Sequence, residues 1–127
     1  MPIIGFTLFR DKIIKGEKTQ TIRRPRKRKI KVGDTLYLWW KPRTKDAEFI
    51  GETVCIEVIE TSLAEIWDDE DLAIKDGFNN LEEFRKFFSR YKKDDVKPED
   101  IKLTIIRWEY PFKSERKYHQ LTLDVVT

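Results

Sequence analysis

The sequence predicts an α+β fold, in which helices pack beside a small, mostly antiparallel β-barrel. Three observations favour this class. Segments rich in β-prone residues stand towards both ends of the chain, helical segments are grouped in the middle, and Gly51 interrupts one long strand where a bulge would bend it around a barrel. With 127 residues, the chain is expected to form one domain over residues 1–127.

The first quarter of the chain predicts a strand, a short helix and a second strand. Residues 3–6 are apolar and β-prone, and Thr7 is expected to cap the helix that follows them. Gly16 is placed where a helix ends and the backbone needs a positive φ. Residues 18–23 then alternate as a largely polar strand does when it lines a cleft.

The middle of the chain predicts two further strands and then helices. Leu36, Leu38 and Trp40 share one face of the first strand, and Val54, Ile56 and Val58 are expected to face inward from a strand over 49–60. Short helices are predicted near 62–67 and 69–75. A capping box from Asn80 to Glu83 predicts a third helix, whose aromatic side is expected to be core: Phe84, Phe87, Phe88 and Tyr91. Strands over 103–110 and 118–126 are expected to close the chain.

Positive charge is concentrated in one segment. The chain has 26 basic and 23 acidic residues, and seven of the basic ones lie between residues 23 and 31. Without that window 19 basic residues remain against 23 acidic ones, so an acidic body carries one basic loop. Such segregation steers a polyanion to one place, and nucleic acid is the partner that we expect.

Several classes of protein are disfavoured by composition. Cys55 is the only cysteine and lies in an apolar segment, so a buried, inert thiol is expected; His119 is the only histidine. A Cys/His metal site needs three or four ligands, and we expect neither a metal nor a cofactor. The start of the chain resembles no signal peptide and no apolar run is long enough to span a membrane, so we expect a cytoplasmic protein without a membrane partner.

Two cations in the segment 16–23 (GEKTQTIR) suit the binding of an anion or a polar reaction. Arg23 offers a planar fork for a phosphate or carboxylate, whereas Lys18 in a desolvated cleft would have a lowered pKa and act as a general base or oxyanion stabiliser. Since alternate residues of a strand face opposite sides, Lys18 and Thr21 can act together only if a bulge or twist lies near Gln20. A structural role for Arg23 in pairing with an acidic cluster at 68–71 is the alternative.

The segment 16–23 resembles the G-x-K-x-x-x-x-R signature of the ASCH domain, which is related to the PUA-like fold. The resemblance extends to KVGD at 31–34 before a strand and to DGF at 76–78 before a helix, and so covers the chain from about residue 5 to Trp108. It implies a small PUA-like β-barrel with flanking helices, a cleft lined by Lys18 and Arg23, and a role in RNA or modified-nucleoside biology.

The resemblance implies three candidate functions, of which RNA binding comes first. The residues expected to contact nucleic acid are Lys18, Arg23, Arg24, Arg26, Lys27, Arg28, Lys29, Lys31 and Trp39. Trp39 and Trp40 are adjacent, so that one faces outward to stack on a base, unless both are packed.

The second candidate function is an amidohydrolase that removes the acyl group from N4-acetylcytidine. Some ASCH proteins look like enzymes of this kind, with a Lys, a Thr three residues later and a Glu from the helical region. Lys18 and Thr21 match the first two, and Asp76, one methylene shorter than Glu, matches the third; Glu82 and Glu83 are the alternatives. An RNA phosphodiesterase, in which Lys18 and Arg23 stabilise developing charge, is the third candidate.

Overall fold

The protein, seen in a computed structural model that describes residues 2–112, alternates strands with short helices. The elements are β1 (Ile3–Phe6), α1 (Arg10–Lys15), β2 (Gln20–Arg23), β3 (Thr35–Trp40), β4 (Glu48–Ser62), α2 (Leu63–Ile66), α3 (Glu70–Lys75), α4 (Leu81–Phe88) and β5 (Lys102–Trp108). The strand predicted over 118–126 and His119 lie outside the described residues. No helix of residues 2–112 has the length and apolar character required to cross a membrane.

The five strands form one curled sheet in the order β1-β3-β4-β5-β2. β1 runs parallel to β3, and the other neighbouring strands are antiparallel. Within residues 2–112, β1 and β2 are the outer strands and do not pair with each other, so the sheet is a half-barrel. The predicted α+β class and the barrel-like curvature of the sheet are therefore confirmed.

Two irregularities bend the long strand β4. The register with β3 shifts so that Ile50 has no partner, directly beside Gly51, where the sequence predicted a bulge. A side chain at Gly51 would be impossible without a shift, since its Cβ would lie 2.5 Å from the ring of Phe112. The register with β5 shifts at Ile56. That shift resets the alternation, so the prediction that Val54, Ile56 and Val58 all face inward holds only for Val58, which packs against a core cluster. Ile56 is 52% exposed, Val54 is only partly buried, and Cys55 is buried instead.

Two apolar clusters lie on opposite sides of β5. Ile106 and Trp108 pack with residues of α1, β1, β3 and β4 in the first cluster. Leu103 and Ile105 pack in the second with α2, α3 and α4, to which Phe84 and Phe88 contribute. The aromatic side of α4 is therefore core, as predicted, although Phe87 and Tyr91 are only partly buried. The sheet thus separates two cores.

The residues at the ends of α1 and α4 match the sequence predictions in part. Gly16 ends α1 with a φ of 81°, as predicted, and Asn80 Oδ1 accepts the Glu83 N–H at the start of α4. The prediction that Thr7 caps α1 is wrong. The residue before α1 is Phe9, at a φ of 64° and with no side-chain cap, because the chain turns there to place the Phe9 ring against Phe78.

Candidate functional site

A cleft of about 490 Å³ opens between the end of β1, the start of β2 and the C-terminal ends of α3 and α4. This volume is typical of small-molecule sites, which run from roughly 300 to 1,000 Å³. Its polar lining consists of Thr7, Lys18, Thr21, Arg23, Arg24, Asp76 and Arg90. Its aromatic lining consists of Phe6, Phe9, Phe78, Phe87, Phe88 and Tyr91. Among residues 2–112, four cations thus face one carboxylate in an aromatic cavity.

Lys18 enters the cleft from the turn that ends α1. The N–H groups of Glu17 and Lys18 both donate to the Lys12 carbonyl, at 2.9 and 3.0 Å, so the backbone there closes the helix. β2 begins only at Gln20. Strand alternation therefore does not apply to Lys18, and it shares the cleft with Thr21 although the β2–β5 register is continuous. The bulge that the sequence analysis required near Gln20 is absent from this register.

Asp76 reaches the cleft from the C-terminal end of α3. Gly77 follows it with a φ of 110°, a conformation that side-chain-bearing residues rarely adopt. A Cβ at Gly77 would lie 2.8 Å from the Phe9 ring, so the missing side chain also makes room for an aromatic wall of the cleft. The DGF sequence at 76–78 therefore positions the Asp76 carboxylate and leaves room for the Phe9 ring beside it.

Lys18 and Asp76 form a buried ion pair, each residue being 4% exposed. The Lys18 ammonium donates to the Asp76 backbone carbonyl at 2.6 Å, and Nζ lies 3.2 Å from Asp76 Oδ1 at an angle that falls short of a hydrogen bond. Burial raises the pKa of Asp76 to about 6, although the Lys18 charge opposes this rise. Burial likewise lowers the pKa of Lys18 against the attraction of Asp76. The two pKa values are thus drawn towards each other.

Gln20 and Arg107 form a hydrogen-bonded pair next to Lys18 and Asp76. Gln20 is 1% exposed, and its Oε1 accepts a hydrogen bond from Arg107 Nε at 3.0 Å. Because the guanidinium can only donate, this contact fixes the amide so that Nε2 is turned towards the end of α3, 3.4 Å from the Leu72 carbonyl. A hydrogen bond from Gln20 also lowers the pKa of Asp76, against the larger effect of burial.

Thr21 and Arg23 point into the cleft from the same face of β2. Arg23 Nε donates to Thr21 Oγ1 at 3.1 Å, and its terminal nitrogen donates to the Gly5 carbonyl of β1. The guanidinium also lies over the Phe6 ring, 5.1 Å from its centroid. Arg23 therefore bridges the two outer strands of the sheet at the cleft wall, and burial lowers its pKa.

The cleft brings together Lys18, Thr21, Arg23, Arg24 and Asp76, which the sequence analysis singled out. It also includes Arg90 and Tyr91, which the sequence analysis did not assign to a site. The guanidiniums of Arg24 and Arg90 lie over the Tyr91 ring, 5.1 and 6.0 Å from its centroid. The sequence shows only an aromatic side of a helix here, and this pattern does not indicate that Tyr91 lies at the mouth of a cleft.

The rest of the basic loop lies outside the cleft and is exposed: Arg26, Lys27, Arg28, Lys29 and Lys31. Lys29 pairs with Glu60 at 3.1 Å on the surface. Trp39 is half-buried, with its ring edge-on to Phe49, and lines a second cavity together with Arg23 and Arg26. Trp40 packs against the first core cluster.

The alternative partners considered for the site residues have other roles. Asp68 pairs with Arg85, and Asp69 accepts the Leu72 N–H at the start of α3, so the acidic cluster does not hold Arg23. Glu83 accepts the Asn79 N–H. Glu82 is exposed, and neither glutamate lines the cleft. Asp76 is therefore the carboxylate that faces Lys18 among residues 2–112.

In the part of the chain that the structure describes, no group of three or more His, Cys, Asp or Glu side chains is placed to hold a metal ion. Cys55 is buried as predicted, and burial raises the pKa of its thiol, which keeps it in the unreactive protonated form.

Comparison with known proteins gives matches to solved structures alone. No family model and no curated protein matches the chain. The chain is similar to the crystal structure of ASCH from Zymomonas mobilis and to those of two single-residue mutants of that protein, with a TM-score of 0.56 and 17% identity in each case. The match covers 84% of this chain and 65 to 67% of the other chains. The chain therefore has the ASCH-like fold that the GEKTQTIR motif predicted.

Proposed function

We propose that this protein is an amidohydrolase that cleaves the bond between an acyl group and N4 of a modified cytidine. The observation that carries the proposal is the convergence of Lys18, Thr21 and Asp76 in one cleft, with Lys18 Nζ 3.2 Å from Asp76 Oδ1. The resemblance implies a Glu at position 76, yet the shorter Asp76 still reaches Lys18. The convergence of these groups supports hydrolysis above the RNA-binding function that the sequence analysis placed first.

The Lys18–Asp76 pair supplies a base through its shifted pKa values. A proton that moves from Nζ to Oδ1 leaves a neutral amine and a protonated acid. The free-energy cost of this transfer is small when the two pKa values are close, and burial draws them together. Neutral Lys18 then accepts the proton of the Thr21 hydroxyl, while protonated Asp76 has a proton to give to the leaving nitrogen.

Thr21 is the nucleophile in this scheme. Its Oγ1 already accepts a hydrogen bond from Arg23 Nε at 3.1 Å, and a charged donor stabilises negative charge on oxygen. Oγ1 attacks the acyl carbon, and the C–N4 bond breaks as the nitrogen takes a proton and cytidine leaves. Water then hydrolyses the threonine ester, which releases the carboxylic acid and restores the Thr21 hydroxyl.

The aromatic lining supports a planar substrate. Phe6 and Phe9 lie beside the Lys18 ammonium, 5.9 and 5.7 Å from it to the ring centroids, and Tyr91 lies at the mouth. A pyrimidine ring that stacks between such residues gains contact area and excludes water from the reacting bond.

Incubation of the purified protein with N4-acetylcytidine tests the proposal. We expect cytidine and acetate to appear in equal amounts, measured by chromatography. Lys18→Ala should abolish turnover, whereas Lys15→Ala, which removes an exposed lysine of α1 outside the cleft, should leave the rate unchanged. Absence of hydrolysis by the wild-type protein, or equal rates for the two variants, contradicts an amidohydrolase.

RNA binding by the basic loop is the second candidate function. Arg24, Arg26, Lys27 and Arg28 are exposed, and none of them pairs with a carboxylate among residues 2–112. Unpaired surface cations are available to phosphates. We expect the affinity for single-stranded RNA to fall steeply with salt, and the log–log slope to decrease by about 0.7 for each phosphate contact removed by Arg26→Ala, Lys27→Ala or Arg28→Ala. An unchanged slope contradicts this candidate.

The RNA phosphodiesterase has less support and stays a prediction. Its two cations are engaged within the protein, Lys18 by Asp76 and Arg23 by the Gly5 carbonyl. Release of nucleotides from an unmodified RNA, lost on Lys18→Ala, would favour this function over the amidohydrolase.

A further inference from the structure

A second cavity, of about 720 Å³, adjoins the cleft. Its charged lining consists of Arg23, Arg26 and Arg43, and its aromatic lining is Trp39. Among residues 2–112, none of those that line it is acidic. Arg26 and Arg43 form no ion pair with a carboxylate among residues 2–112, so their charge is available to a ligand. We call this site the arginine cavity.

The arginine cavity and the cleft share a wall. Gly5 and Arg23 line both of them, and the hydrogen bond from Arg23 to the Gly5 carbonyl forms the boundary. A ligand whose planar group occupies the cleft can therefore extend past Gly5 and Arg23 towards Arg26 and Arg43.

Arg43 is held at the arginine cavity by a rigid turn. Lys41 and Arg43 both have positive φ, of 42° and 68°, and such residues persist only where the surroundings fix them. The Lys41 N–H donates to the Phe6 carbonyl at 2.8 Å. The Pro42 ring lies on Gly5, where a Cβ would come within 2.6 Å of it. The turn is thus fastened to the end of β1, which places a guanidinium beside the cleft at a cost in backbone strain.

We propose that the arginine cavity binds a phosphate of the nucleotide whose base occupies the cleft, so that the substrate is a cytidine nucleotide or a cytidine within a single strand. A guanidinium pair matches a phosphate through charge-assisted hydrogen bonds, and Trp39 offers a face for a neighbouring base. The inference rests on the proposed function, because that function places a base in the cleft. It makes the free nucleoside the poorer substrate.

Two measurements test the inference. The first is the affinity for a fluorescein-labelled, five-nucleotide single-stranded RNA with N4-acetylcytidine at its centre, followed by fluorescence anisotropy. The second is kcat/KM for N4-acetylcytidine, for its 5′-monophosphate and for the same RNA. Each is made with the wild type, with Arg43→Gln and with Lys45→Gln, a control that removes an exposed cation of the same turn outside the cavity.

We expect Arg43→Gln to weaken RNA binding roughly tenfold and to lower the salt slope by about 0.7, since one charge-assisted contact is lost. We expect Lys45→Gln to stay within about twofold of the wild type. The wild type should prefer the phosphorylated substrates, and Arg43→Gln should reduce that preference roughly tenfold. A preference for the monophosphate identifies the nucleotide's own phosphate, and a preference for the RNA alone identifies a neighbouring one.

Equal effects of Arg43→Gln and Lys45→Gln on binding overturn the inference. Equal kcat/KM values for nucleoside, monophosphate and RNA also overturn it, and they leave the amidohydrolase standing. If no substrate is hydrolysed but Arg43→Gln still weakens RNA binding tenfold, then the phosphate site stands and the proposed hydrolysis fails.

Discussion

Lys18 meets Asp76 at two points, since its ammonium lies 2.6 Å from the backbone carbonyl and 3.2 Å from Oδ1 of the same residue. The contact with the carbonyl does not depend on the protonation of the carboxyl group. Lys18 therefore stays in place when Asp76 gains or loses a proton. The pair can change its charge state without a change of position, which is what a proton-transfer pair requires.

The stability of the buried pair depends on both partners together. Lys18→Met leaves the Asp76 carboxylate buried without its cation, and we expect it to lower the free energy of unfolding at pH 7 by about 3–5 kcal/mol. Lys18→Met combined with Asp76→Asn removes both charges, and most of this loss should be recovered. Urea unfolding of the wild type, both single variants and the double variant measures the coupling. Additive effects of the two substitutions would show that the pair is not coupled.

The raised pKa of Asp76 predicts an acid limb in the rate. Below a pH of about 6 Asp76 binds a proton while Lys18 keeps its own, so Lys18 has no base to receive its proton. We expect kcat/KM for N4-acetylcytidine to fall about tenfold per pH unit below that point. A rate independent of pH between 4 and 7 would exclude titration of Asp76 as the cause.

The same pKa predicts a change in stability of known sign. Asp76 binds its proton more tightly in the folded state than its ordinary pKa of 3.8 allows, so its contribution favours the folded state at low pH and is lost as the pH rises towards 6. Asp76→Asn does not titrate. We expect the stability of this variant relative to the wild type to increase by about 2 kcal/mol between pH 4 and pH 6. A constant difference in unfolding free energy contradicts a raised pKa.

The Thr21 hydroxyl and its contact with Arg23 should both be needed for hydrolysis. Thr21→Val removes the hydroxyl at nearly constant shape, and we expect a loss of activity of at least about a hundredfold. Thr21→Ser keeps the hydroxyl and should retain measurable turnover. Arg23→Lys cannot contact Thr21 and Gly5 at once, so we expect a loss of roughly ten- to hundredfold in kcat/KM. Full activity of Thr21→Val would exclude Thr21 as the nucleophile.

Gly77 and Gly33 form a matched pair that separates backbone strain from crowding. Both have positive φ, of 110° and 96°, but a Cβ at Gly33 meets nothing within 4 Å, whereas at Gly77 it meets the Phe9 ring. We expect Gly33→Ala to cost about 1–2 kcal/mol for strain alone and Gly77→Ala to cost more. Thermal unfolding measures both. Equal losses would mean that Phe9 gives way freely.

The sequence predicted the parts of the fold that depend on local chemistry. Gly16 was expected at a helix end because only glycine takes that backbone conformation readily, and Asn80 was expected to begin α4 because its side chain can cap the helix. The inward face of β4 was predicted wrongly at Ile56. A bulge there depends on how β4 pairs with β5, which lies more than forty residues away along the chain.

The sequence predicted which residues form the site better than it predicted how they are arranged. Lys18 and Arg23 were identified from their residue types, and Thr21 and Asp76 from the resemblance to the ASCH domain. Lys18 and Thr21, however, were expected on opposite sides of one strand. They share the cleft because the turn after α1 extends to Lys18, which depends on two hydrogen bonds to Lys12. Arg90 and Tyr91 were missed, since only the packing of α4 against the sheet brings them to the cleft mouth.

The hydrogen bond from Arg23 to Gly5 has a mechanical consequence for the half-barrel. Within residues 2–112, this side-chain hydrogen bond links the outer strands β1 and β2, which share no ladder of backbone hydrogen bonds. A ligand that accepts a hydrogen bond from Arg23 competes directly with the Gly5 carbonyl. Ligand binding in the cleft and the separation of β1 from β2 are thus coupled through the Arg23 side chain. Amide hydrogen exchange in β1 would report both events.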